Sequence, residues 1–84
     1  MNNEKQERFL QLLKPLQPRL EKFILVQVRG RDAAKDVMSE TILLAFENFD
    51  SLKSEETFLS FLFTIAARVS ARHFKNSHRK AEYS

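Results

Sequence analysis

The sequence predicts an all-α domain of about four helices. Three observations carry this. The chain of 84 residues holds one glycine and two prolines, too few for the turns of a sheet protein. Apolar residues recur at steps of three and four, and β-branched residues form no alternating runs. Hydrophobic residues make up 43% of the chain and charged residues 30%, a globular balance rather than a disordered one. At this length one small domain is expected, burying only about 60–65% of its unfolded surface.

The first helix is predicted over about residues 4–14, with Phe9, Leu12, Leu13 and then Leu16 on one face. Pro15 and Pro18 interrupt that pattern. Proline is tolerated in the first turn of a helix but not in its interior, so a break is expected at 14–18. The second helix is predicted over about 18–29, with Leu20, Phe23, Ile24 and Val28 facing the core. Gly30 is expected as its left-handed C-cap, with Arg29 in the last turn against the negative end of the helix dipole.

Asp32 is the expected N-cap of a third helix over about 33–49. Ala34, Val37, Met38, Thr41, Ile42, Ala45 and Phe49 form its apolar face. The stretch "DSLKSEE" at 50–56 reads as a polar connection, with Ser54 capping the next helix. The fourth helix is predicted over about 55–80, with Phe58, Leu62, Ile65, Ala66 and Val69 as its core face. Phe63 and Phe74 lie off that face and are expected to pack against another helix. Residues 1–84 read as one domain, without internal repeats or low-complexity segments.

Several classes are disfavoured by what the chain lacks. With no cysteine there is no disulfide framework or thiolate metal site, which suits a reducing compartment. The start, "MNNEKQERF", lacks the apolar core of a signal peptide. No apolar stretch approaches the ~18–20 residues that cross a bilayer. A cytoplasmic protein without a membrane partner is expected. His73 and His78 are five apart, not at the spacing of two ligands on one helical face. The carboxylates of the third helix sit on an open face with no nucleophile or glycine loop beside them. The expectation is a protein that is not an enzyme and uses no cofactor or metal.

Two surface strips remain. The segment from Thr57 to Lys80 carries four phenylalanines and five Lys/Arg but no acid. Within it Phe61, Thr64, Arg68, Arg72, Lys75 and Arg79 follow one another at steps of three or four, so they line one edge of the helix. Cations there neutralise phosphates and release counterions, and an aromatic ring offers a stacking surface to an unpaired base. The competing reading is a solvated face with cations biased toward the helix C-terminus. On the third helix Asp36, Glu40, Leu43 and Glu47 share a strip flanked by Asp32 and Ser39. Acids around an apolar anchor suit a basic protein partner, against the plainer reading of a solvated face.

Beyond these patterns, "RDAAKDVMSETILLAFENFDSL" followed by "FLSFLFTIAARVSARHFKNSHRK" resembles region 2 of bacterial sigma factors. The closest group is the extracytoplasmic-function (ECF) type of the sigma-70 family. The family pattern Asp-Ala-x-x-Asp-Leu-Val-Gln-Glu is matched by Asp32, Ala33, Asp36, Val37, Met38, Ser39 and Glu40. The Trp-Leu-Tyr-x-Ile-Ala core of the fourth helix is matched by Phe61, Leu62, Phe63, Thr64, Ile65 and Ala66, with "RHFKNSHRK" as the basic tail. Ser39 replaces the usual Gln, Phe61 and Phe63 replace Trp and Tyr, and Arg68 and Arg72 stand where Asn and Asp are common. The resemblance covers about residues 6–80.

It implies a transcription initiation factor domain of four helices. Such a domain docks on the clamp helices of the RNA polymerase β′ subunit. It also recognises and melts the −10 promoter element, taking up a base of the non-template strand. Carried over by position, Asp32, Asp36, Ser39, Glu40, Leu43 and Glu47 would meet polymerase. Phe49, Asp50, Ser51, Leu52 and Lys53 of the connection would meet DNA, with Phe61, Thr64, Arg68, Arg72, Lys75, Arg79 and Lys80. The family's second domain, a region 4 helix-turn-helix, lies outside this chain, as expected of either an excised domain or a short form. The alternative is a sigma-like interaction module, held by an anti-sigma factor or acting as a decoy. A generic duplex binder fits less well, because no tight glycine-containing turn precedes the basic helix.

Overall fold

The computed structural model describes residues 3–83, and side chains over residues 4–75. Four helices follow in order: α1 (Asn3–Leu13), α2 (Gln17–Gln27), α3 (Arg31–Glu47) and α4 (Phe58–Tyr83). Short 3-10 turns at Phe49–Ser51 and Glu55–Thr57 join α3 to α4, and no strand occurs among the described residues. The all-α architecture is therefore the one predicted.

Helix boundaries follow local chemistry. Glu4 places an acid in the first turn of α1. Pro15 falls in the turn that ends it, where Leu16 N–H donates to the Leu13 carbonyl at 2.8 Å. Pro18 enters the first turn of α2, where its missing N–H costs nothing. Val28 closes α2 by turning extended (ψ 151°), its N–H still bonded to the Ile24 carbonyl at 3.0 Å.

Three capping expectations need correction. Gly30 is not the left-handed C-cap of α2 but the residue that starts α3, its carbonyl accepting Ala34 N–H at 3.1 Å. Its backbone (φ 92°, ψ 148°) lies in a region essentially confined to glycine, although nothing within 4 Å would obstruct a side chain. Asp32 accordingly sits inside the first turn of α3, where its charge suits the dipole, and Arg29 lies beyond the end of α2. Ser54 makes no side-chain cap. Its carbonyl accepts both Thr57 N–H (3.2 Å) and Thr57 Oγ1–H (2.7 Å), so the connection is knotted by Thr57 instead.

The core is built around α4. Phe58, Leu62, Ala66 and Val69 are buried, and α4 packs against both α2 and α3, which also pack on each other. Alanines at buried positions (Ala34, Ala45, Ala66) let those three helices approach closely. Leu20, Ile24, Val28 and Val37 complete the centre, with Met38, Ile42 and Ile65 half-buried against it. Complete burial of each large aliphatic contributes about 1.5–3 kcal/mol.

Helix α1 is attached differently, through long side chains. Phe9 meets Phe46, Phe49 and Phe58 edge-on, with ring centroids 5.3, 5.3 and 5.7 Å away. Leu13 is buried too, and Leu12 and Leu16 pack partly against the core. Phe63 stacks on Phe23 of α2 (4.4 Å, 7°), the helix–helix contact expected of it. Phe74 is 65% exposed.

Two hydroxyls are out of place in this core. Thr41 Oγ1 on α3 and Ser70 Oγ on α4 are buried without a hydrogen-bond partner. An unmet buried hydroxyl costs about 1–3 kcal/mol. Thr41→Val and Ser70→Ala are therefore each expected to raise the urea midpoint, by about 1 kcal/mol of stability. Destabilisation by both would show that the hydroxyls are satisfied in solution.

Candidate nucleic-acid and partner interface

The acidic strip lies on the outer face of α3. Asp36, Glu40 and Glu47 are exposed, and Leu43 among them is 58% exposed. The 3.6-residue repeat explains the placement: Val37, Thr41 and Ala45 turn one side of α3 to the core, Met38, Ile42, Leu44 and Phe46 flank that side half-buried, and the strip takes the side left over. Asp32 is exposed near the N-terminus of α3. Ser39 lies to one side, lining a groove between α2 and α3 with Leu25, Met38 and Lys35.

The basic strip runs along α4. Phe61 is half-buried, and Thr64, Arg68, Arg72 and Lys75 are exposed. Arg79 and Lys80 fall outside the residues with described side chains. Phe61 keeps one edge in the core, its ring 6.1 Å from that of Phe58 at 26°. Thr64 Oγ1 donates to the Ser60 carbonyl at 2.8 Å, which leaves only the oxygen lone pairs for a ligand.

Where this strip meets the connection, a groove of about 560 Å³ opens. Leu52, Phe61 and Ile65 give it an apolar lining. Lys53 and Arg68 supply positive charge, and Asn48, Ser51 and Thr57 supply polar groups. Lys53 and Arg68 can meet a phosphate, and the apolar lining with Phe61 suits a planar base. Ser51 Oγ donates to the Asn48 carbonyl (2.6 Å) and Asn48 Nδ2 to the Leu44 carbonyl (2.8 Å), so the wall is fixed by its own hydrogen bonds.

The connection is held from the other side by α1. Lys5 Nζ reaches Asp50 Oδ2 at 3.2 Å and lies 4.7 Å from the Phe46 ring centroid. Arg8 pairs with Glu55 at 2.7 Å. Exposed pairs of this kind stabilise by only about 0–1 kcal/mol each. Their larger effect is to offset two of the three carboxylates in residues 49–56. Leu52 and Lys53 form a wall shared by this side and the groove on the α4 side.

Phe49 does not line this groove but borders the hollow on the α1 side of the connection. It is buried and lies edge-on to Phe9 and to Phe58 (5.3 and 5.8 Å), so it anchors the connection rather than lining the groove. Asn48, Thr57, Ser60 and Ile65 line the groove without having been anticipated. The signal for three of them was present: 57, 60 and 65 are one turn from Phe61 or Thr64.

The two strips are not separate. Arg72 of α4 forms an ion pair with Glu40 of α3, both side chains partly exposed. The seam between α3 and α4 thus brings an acid of one face against a cation of the other. Among the described residues, no cluster of His, Cys, Asp or Glu suited to a metal occurs, and no helix is long and apolar enough to cross a membrane. Comparison with protein-family models, with characterised proteins and with solved structures gives no match.

Proposed function

We propose that the chain is an ECF-type sigma factor region 2 domain, a transcription initiation factor that binds rather than catalyses. The acidic strip with Leu43 would dock on the clamp helices of the polymerase β′ subunit. The basic strip and the groove would take the non-template strand of a melted −10 element, in the cytoplasm. One observation supports this above the rest. An apolar groove with Phe61 at its wall opens at the start of a cationic strip, beside a helix presenting acids around an exposed leucine. That combination suits an unpaired base followed by its phosphates, and a protein partner alongside. Among the described residues, the groove lining offers hydroxyls, an amide and two cations, groups suited to holding a base and a phosphate.

The test is binding to a β′ clamp-helix fragment, with an Asp36→Lys/Glu40→Lys variant beside the natural chain. The variant is expected to lose at least about tenfold in affinity, as like charges replace complementary ones. Unchanged binding would sink the docking face. The ion pair between Arg72 and Glu40 favours a second reading, since it ties up part of the basic strip. On that reading the chain is an interaction module for an anti-sigma factor or a decoy, and its affinity for DNA would be absent or indifferent to salt.

A further inference from the structure

We infer that Lys5 and Arg8 of α1 open the groove to a phosphate chain by cancelling the carboxylates of the connection: Lys5 acts through Asp50 and Arg8 through Glu55, and neither touches the strand. This rests on the proposed nucleic-acid reading of the groove and adds to it two residues of a helix which that reading leaves unused.

The observation is a conflict that only the folded chain removes. The connection lines the groove with Ser51, Leu52 and Lys53, yet residues 49–56 carry three carboxylates against one lysine, a formal charge of −2. Such a segment repels phosphate. Asp50 is one residue from Ser51, and Glu55 is two from both Lys53 and Thr57 on the groove wall. That is about 4–8 Å along the backbone, inside the ~10 Å over which charges act at 0.1 M salt. Lys5 Nζ meets Asp50 at 3.2 Å and Arg8 meets Glu55 at 2.7 Å. Both cations come from α1, 45 and 47 positions away in the sequence, and they bring the formal charge of the connection to zero. In the hollow of about 450 Å³ on this side, Glu4 and Lys53 join the two pairs, so cations and carboxylates are equal in number.

Geometry indicates how each cation works. The Lys5 side chain is only 20% exposed and its Nζ lies 4.7 Å from the Phe46 ring centroid, so the ammonium is turned to Asp50 and the ring rather than to solvent. Asp50 is 82% exposed, so its charge is open to an approaching strand unless Lys5 offsets it. Arg8 spends its guanidinium fork on Glu55, and a fork already serving a carboxylate is a poor phosphate ligand. The two residues therefore act by removing repulsion, and Lys53 and Arg68 on the groove wall supply the attraction.

The experiment is a pair of double-variant cycles on the whole chain. The probe is a fluorescein-labelled oligothymidylate of about 20 nucleotides, long enough to span a single-strand site. Its affinity is followed by anisotropy across a salt series. One cycle takes Lys5→Gln, Asp50→Asn and both together; the other takes Arg8→Gln, Glu55→Gln and both together. Lys22→Gln on α2 controls for losing a cation elsewhere, and Arg68→Gln reports binding in the groove itself. Exposed ion pairs add little to stability, so every variant should keep the helical circular dichroism of the natural chain. At low salt Lys5→Gln and Arg8→Gln are each expected to bind about threefold weaker, and Asp50→Asn and Glu55→Gln about threefold tighter. Each double variant should return to within about 1.5-fold of the natural chain, and all the differences should fade at high salt.

Weaker binding by Asp50→Asn and Glu55→Gln would mean that the pairs only tether the connection, and would overturn the inference. Double variants as weak as Lys5→Gln and Arg8→Gln alone would overturn it too, by showing that the cations touch the strand. So would an equal loss in Lys22→Gln, which would reduce the effect to net charge. In all three cases a loss of affinity in Arg68→Gln keeps the groove as the DNA site. If the natural chain shows no salt-dependent binding, the DNA reading itself fails and the inference with it.

Discussion

Phe9→Ala is expected to destabilise the domain by about 3–5 kcal/mol, the usual cost of deleting a buried phenylalanine. The ring is 2% exposed and is the hub of the aromatic cluster, touching Phe46, Phe49 and Phe58 edge-on. Each such pair is worth about 0.5–1.5 kcal/mol beyond burial, so the value should fall in the upper part of that range. A chain of 84 residues has a total stability of only about 4–13 kcal/mol, so a large share is lost at one position. Urea unfolding followed by circular dichroism measures this. Phe9→Leu, which keeps most of the volume, should lose far less. A cost under about 1 kcal/mol for Phe9→Ala would mean that α1 is not docked in solution. The consequence reaches the candidate site. Phe9 packs on Phe49, which anchors the connection, and Lys5 and Arg8 of the same helix pair with Asp50 and Glu55. Loss of α1 would release the groove wall along with the core.

Phe61→Leu is expected to weaken single-stranded DNA binding by about 1–3 kcal/mol, the value of one base–aromatic stack. Leucine preserves most of the apolar contact with Phe58, so stability should change by less than about 1.5 kcal/mol. The salt slope should not move, because no phosphate contact is lost. Arg68→Gln is the complement: a modest loss of affinity, with a slope shallower by about 0.7. Two different signatures from residues lining one groove would identify stacking and charge as separate contributions. Undiminished affinity in Phe61→Leu would remove the base-stacking role from the groove.

Much of the fold is legible in the residues because helix formation and core choice are local. Two prolines, one glycine and the recurrence of apolar residues at three and four place the helices to within a few residues. Leu20, Ile24, Val37, Ala45, Phe58, Leu62 and Ala66 are buried as their spacing requires. Capping was less legible. Gly30 could end one helix or begin the next, and only the backbone angles choose between them. Ser54 has the right side chain for a cap but leaves the bonding to its carbonyl.

The candidate site divides in the same way. Periodicity alone put Asp36, Glu40, Leu43 and Glu47 on one face, and Arg68, Arg72 and Lys75 on another, because a helix fixes which residues share a side. It also separated acid from base along the chain. Tertiary structure decided the rest. Packing of α3 on α4 set Glu40 against Arg72, 32 positions apart in the sequence. Docking of α1 turned Phe49 inward and brought Lys5 and Arg8 to the connection. Folding of that connection over α4 made the groove, with Asn48 and Ile65 on its walls. Helical repeat is a property of neighbours a few residues apart. Which two faces meet depends on how the buried surfaces of whole helices fit together, and no short stretch of sequence carries that information.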